Sequence, residues 1–190
     1  GKSEFKAGRR DEVSWKSESV HDNLSVRVDG EIEFDGHLAF RVAVTAHADV
    51  CLSDLRLDIP LRQAVARYAM GLGLKGGYRP ACHAWQWDVA RNQDCLWVGD
   101  ANAGVQVRLR DESYVRPLNT NFYHLQPLVM PRSWSNGGEG GIRCVETDEK
   151  TFLVSCYSGP RQMVAGETLR YDFELLLTPF RPIDPGAHFA

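Results

Sequence analysis

No run of eighteen apolar residues occurs in this 190-residue chain, so no helix of it is long and apolar enough to cross a bilayer. Its five cysteines (Cys51, Cys82, Cys95, Cys144, Cys156) contain no CxxC pair, which removes zinc-knuckle and thioredoxin-type sites. They read as small buried hydrophobes, with one disulfide in an exported parent as the alternative. The six histidines (His21, His37, His47, His83, His124, His188) show neither HxH nor HExxH spacing, so neither a metal nor a cofactor is expected. A GxSxG elbow is missing, and Ser133, Ser135 and Ser158 sit in turn-like contexts. Excess charge is missing too: 22 Lys+Arg against 25 Asp+Glu leave a net −3, which excludes a basic face for nucleic acid or anionic membrane. A repeat of fixed period is absent, which counts against a propeller or solenoid. Gly1 opens the chain in place of Met, with no signal-like stretch after it, so a piece of something longer is expected.

What is present is alternation. Leu24, Val26, Val28, Ile32 and Phe34 share one parity with charged residues between them. After Asp35-Gly36 the apolar residues Leu38, Phe40, Val42, Val44 and Ala46 resume it. Period two puts one set of side chains on each face of a strand, and Asp-Gly between two such runs is a hairpin signal. Leu55 to Leu61, Val105 to Leu109 and Leu169 to Leu177 alternate in the same way. Leu61–Met70 fits a short helix or a strand, and the strand is preferred. The reading is all-β: an antiparallel β-sandwich of two packed sheets, possibly a supersandwich, with little helix. The expected organisation is a flexible N-terminal segment over 1–12, one sandwich domain over 13–178, and a Pro-rich linker over 179–190 toward a further C-terminal domain.

Residues 70–141 concentrate glycine and aromatics, including four of the five tryptophans. Flat rings beside carboxylates, amides and guanidinium are what a sugar site requires: C–H faces stack on rings, and fixed polar groups order the hydroxyls. The carbohydrate-binding candidates are Tyr78, Arg79, Trp85, Trp87 and Asp88, then Trp97, Asp100 and Asn102, then Trp134 and Asn136. Asp94, Asn119, Asn121, Phe122 and Tyr123 lie in the same stretch. Trp85 and Trp87, two apart on a strand, make either a stacking platform or a double core plug. The Gly-rich run from Trp134 to Gly141 lacks the lysine of a phosphate loop and reads as a tight turn that meets the 71–100 stretch in space. Glycosidase chemistry needs two carboxylates across a cleft; Asp88, Asp94, Asp100 and Glu139 qualify by type alone, so no catalytic residue is assigned. Asp49, Asp54 and Asp58 read as solvated positions and not as a calcium turn.

Five runs carry a family resemblance: Met70–Pro80 with Trp85–Asp88, Leu96–Gln106, Pro131–Gly141, Tyr157–Pro160 and Phe173–Pro182. Together, over about residues 50–182, they resemble the β-sandwich region preceding the catalytic barrel in bacterial glycoside hydrolases related to family 123 β-N-acetylgalactosaminidases. The resemblance implies an exported parent, extracellular, periplasmic or at the cell surface, whose catalytic Asp-Glu pair lies on the barrel. For this chain it implies a non-catalytic module with two partners, a glycan and the barrel of the same parent. The alternative is a scaffold domain with no ligand of its own. Kinship of fold does not itself grant activity.

Overall fold

The computed structural model describes residues 2–7, 12–116 and 127–179. Its strands are β1 (Lys2–Ala7), β2 (Glu12–His21), β3 (Leu24–Glu33), β4 (His37–Ala46), β5 (Val50–Leu52), β6 (Arg56–Arg62), β7 (Tyr68–Gly71) and β8 (Cys82–Gln86). They continue with β9 (Cys95–Gly99), β10 (Gly104–Arg110), β11 (Gly141–Glu146), β12 (Thr151–Tyr157), β13 (Arg161–Met163), β14 (Thr168–Arg170) and β15 (Asp172–Thr178). One large antiparallel sheet runs β1-β2-β3-β4-β15-β10-β9-β7, with β14 also beside β4. A four-stranded sheet, β6-β12-β11-β8, covers it, and β5 and β13 form a separate ribbon. The all-β sandwich is what the alternation requires.

The two sheets meet through the apolar parity of their strands. From the large sheet come Leu96, Val98, Val105, Val107, Leu109 and Phe173; from the small one come Trp85, Ile142, Cys144, Phe152, Val154 and Cys156, all buried in one cluster. Burial pushes the Cys144 thiol up to about 12 and the Cys156 thiol higher still, so neither supplies a thiolate at neutral pH. All five cysteines are free. The aromatic ladder Trp15–Phe40–Phe173 crosses the large sheet, with ring centroids 5.6 and 4.4 Å apart. Gly30 lies under Trp15, where any Cβ would enter the indole.

The Asp35-Gly36 turn forms as its sequence requires: Gly36 has φ +82°, and the Asp35 carboxylate accepts the His37 N–H at 3.0 Å. Three details differ from the sequence expectation. Residues 2–7, inside the segment expected to be loose, pair with β2 from Lys2↔Glu18 to Ala7↔Val13. Leu61–Met70 is neither one helix nor one strand: β6 ends at Arg62 in the small sheet, a turn follows, and β7 begins at Tyr68 in the large one. The Pro131–Gly141 stretch holds a four-residue helix, α1 (Arg132–Ser135), continued by a 3₁₀ turn over Asn136–Gly138. The buried Asp111 carboxylate accepts the Ser133 N–H at 2.9 Å and so supplies the cap that Pro131 cannot. From residue 180 on, the Pro-rich segment lies outside the described residues.

Candidate functional site

The structure divides the expected sugar-binding residues into two groups. The first is built into the scaffold. Trp134 is 1% exposed, donates its indole N–H to the Asp172 carbonyl at 2.9 Å, and stands edge-on to Tyr171. Trp85 is buried between the sheets and Trp87 packs half-buried against the same core, so this pair is a core plug and no open platform. Arg79 stacks its guanidinium 4.0 Å from the Phe152 ring centre and bonds the Ala66 carbonyl and Glu146. Asn136 donates to the carbonyls of Ser158 and Pro160 at 2.8 and 2.9 Å and accepts from Arg161. Asp88 caps the 3₁₀ turn at 89–91. Asp49 is exposed, as expected, and accepts the Ala165 N–H, while the half-buried Asp54 accepts the Gly159 N–H.

The second group meets at the β7–β9 edge of the large sheet. Trp97 lies on the sheet face away from the core, and its N–H bonds Thr178 Oγ1 at 2.8 Å. Beneath the indole are Gly99 and Gly104, where an added Cβ would stand 2.9 and 2.7 Å from the ring. Such separations are far inside van der Waals contact, so the place the indole occupies depends on Gly104 lacking a side chain, and Gly99 is held to glycine by the Gly104 Cα and the Ala103 carbonyl oxygen as well. Met70, directly opposite Trp97, is 53% exposed, and Tyr78 is 76% exposed with its ring 4.9 Å from that of Tyr68. The next turn holds Asp100, whose Oδ1 accepts the N–H groups of Asn102 and Ala103; these two bonds keep its carboxyl below the usual range. Asn102 takes part through its backbone only, with an exposed side chain.

Along the same face lies a cleft of about 440 Å³ lined by His37, Asp94, Gln106, Arg108, Arg116 and Glu174, among others. Arg108, 12% exposed, bridges Asp94 at 2.8 Å and Glu174 at 3.0 Å, and Arg110 also pairs with Glu174. The Tyr114 hydroxyl donates to Asp94 at 2.5 Å; burial, reinforced by that carboxylate, pushes the phenol far up and keeps it a neutral donor. Burial raises Glu174, but the hydrogen bonds and charges of Arg108 and Arg110 outweigh it and hold the carboxyl below its ordinary value. The folded pKa is therefore the lower one. Its stabilising contribution is complete above the unfolded value of about 4.3 and is lost as pH falls through the folded value. Glu174→Gln should consequently be less stable at pH 7 and show a shallower loss of stability below about pH 4.3, read by urea unfolding across pH 2–7. An unchanged acid limb would contradict the ion-pair account.

Arg108, Glu174 and His37 drew no attention in the sequence as site residues, because an alternating strand presents charge to one face whatever that face does. Asn119, Asn121, Phe122 and Tyr123 lie outside the described residues. The stretches 71–100 and 134–141 do meet, since Ile142 pairs with Trp85 and Gly141 with Gln86. They meet at the scaffold and not at the Trp97 face.

A family model described as glycoside hydrolase 123, third domain, matches residues 1–179. No curated protein matches the chain. Among solved structures, an aldose 1-epimerase candidate of Escherichia coli K12 is similar over 93% of this chain and 68% of its own, with a TM-score of 0.46 and 9% identity. A heparinase III gene product follows at 0.45 and 9%, over 93% of this chain. A heparan sulfate lyase of Pedobacter heparinus is similar at 0.41 and 7%, over 92%. This chain spans 21% of each of the last two.

Proposed function

This chain belongs to the glycoside hydrolase 123 third-domain family, and from that premise we propose that it is a non-catalytic module whose large-sheet face binds glycan or lines the substrate cleft of a catalytic barrel in the same parent protein. The parent would be an exported bacterial glycoside hydrolase working outside the cytoplasm. The observation that carries the reading is the half-buried Trp97 indole seated against two glycines on the outer sheet face, beside a cleft of fixed ion pairs. An indole face takes the C–H side of a pyranose, and carboxylates, amides and guanidinium groups already fixed in place order hydroxyls at little entropic cost. Trp97→Ala should weaken glycan binding by about 1–1.5 kcal/mol, roughly five- to tenfold, measured by calorimetric titration of the folded variant. Unchanged binding would remove Trp97 from the site.

The same geometry argues against turnover by this chain. Arg108 and Arg110 hold the Glu174 carboxyl below its ordinary value, so it is not poised to donate a proton at neutral pH, and Asp94 spends Oδ2 on Arg108 and the Tyr114 hydroxyl. The chain alone should leave an aryl N-acetylgalactosaminide intact; hydrolysis abolished by Asp94→Asn would overturn that. A scaffold reading draws on Trp85, Trp134, Arg79 and Asn136, whose polar and aromatic groups serve the fold. If no glycan binds and Trp97→Ala affects only docking to the barrel, the scaffold reading stands.

A further inference from the structure

Resting on the glycan reading, we infer that the Trp97 platform and the ion-pair cleft are one continuous track that holds an extended glycan chain lying across the strands, in place of a single terminal sugar.

Sheet register supplies the track. Met70 on β7, Trp97 on β9, Gln106 on β10, Leu176 on β15 and His37 on β4 are each directly opposite the next. Period two puts all five on the face opposite the buried Val98, Val105 and Val107. Four strand spacings of about 4.8 Å make the row about 19 Å long, several times the length of one pyranose ring. The row alternates in kind as well: thioether and indole, then an amide, an isobutyl group and an imidazole. A glycan alternates similarly, offering C–H faces to apolar groups and hydroxyl edges to polar ones.

Both sides of the row are shaped. On one side the next positions of the same face are Cys95, Arg108 and Glu174, the charged wall of the cleft. On the other side they are Tyr68, Gly99, Gly104 and Thr178, where the glycines keep the floor low enough for the indole to lie down. This second side ends at Tyr78, the most exposed large apolar residue among those described, and its backbone is held in place. It bridges Tyr68, its neighbour Gly77 accepts the Ala69 N–H at 3.0 Å, and the next residue, Arg79, is clamped to the core. A ring carried on a backbone fixed this way and resting 4.9 Å from that of Tyr68 is a contact surface set in place before a ligand arrives. Next to it, Asp100 spends only Oδ1 on backbone N–H groups, and Oδ2 has no hydrogen bond among the described residues.

The test is a printed array of homologous oligosaccharide ladders, one to six rings long, in neutral hexose, N-acetylhexosamine and uronate-containing series, probed with the wild-type chain, Tyr78→Ala and Gln106→Ala. Tyr78 is exposed, so its truncation leaves the fold intact, as circular dichroism will show. The expected result is signal that rises at least tenfold between one ring and four in one series, with the rise blunted in both variants. Signal already complete at one ring overturns the extended track while leaving the glycan reading in place. A length-dependent signal that neither variant alters places the chain elsewhere and also overturns it. No signal on any series removes the glycan reading and the track with it.

Discussion

Arg108→Ala is expected to cost about 3–5 kcal/mol of folding stability, the scale for removing one partner of a buried ion pair. Arg108 separates Asp94 and Glu174, which are 9% and 14% exposed, and its loss would leave two carboxylates facing each other with little water. Burial alone would lower the Arg108 pKa, yet the Asp94 charge and the Glu174 hydrogen bond raise it, so the guanidinium stays charged throughout. Equilibrium urea unfolding at pH 7 checks the value as a fall in midpoint at constant m. The combined variant Arg108→Met, Asp94→Asn, Glu174→Gln should recover much of the loss, because no uncompensated buried charge remains; Arg110, which loses its Glu174 partner, is 43% exposed and hydrated. A loss below about 1 kcal/mol, the range of exposed pairs, would mean that the cleft is wetter than its side-chain burial implies.

Trp134→Ala should be comparably severe, about 3–5 kcal/mol, the range for truncating a buried tryptophan. Its indole is the largest of the fully buried side chains and contacts Tyr171 edge-on at 5.0 Å. Its N–H also ties α1 to the start of β15 through the Asp172 carbonyl. Trp134→Phe separates these contributions: it keeps most of the apolar volume and gives up one hydrogen bond, so about 1–3 kcal/mol should be lost. Thermal unfolding followed by near-ultraviolet circular dichroism reads both variants. If the alanine variant unfolds near the wild-type temperature, the indole does not hold the sheets together.

How far the sequence reaches is visible in these residues. Val105, Val107 and Leu109 announce a strand with one buried face, and the hairpin at Asp35-Gly36 follows from local chemistry that needs no partner. The site required more. Glu174 reaches the cleft because β15 lies between β4 and β10, and His37 at the start of β4 and Asp94 just before β9 are far apart in the chain. Alternation tells which residues share a face, but not which strands lie side by side. Composition likewise grouped Trp85, Trp97 and Trp134 together, although one plugs the core, one lies half-buried on the outer face and one pins a helix. The distinguishing signal was local: only Trp97 has glycine at two and seven positions beyond it, both under its ring.

That arrangement ties three positions into one unit of inheritance. While position 97 carries tryptophan, positions 99 and 104 tolerate nothing larger than hydrogen, since even a methyl group would lift the indole off the sheet. Once a lineage loses the tryptophan, Gly104 is released from that constraint, whereas Gly99 stays held, since a Cβ there would still stand 2.4 Å from Gly104 Cα and 2.5 Å from the Ala103 carbonyl oxygen. Related chains should therefore fall into two sets, those keeping the W-x-G-x₄-G spacing whole and those in which positions 97 and 104 have drifted together while the glycine at 99 stays.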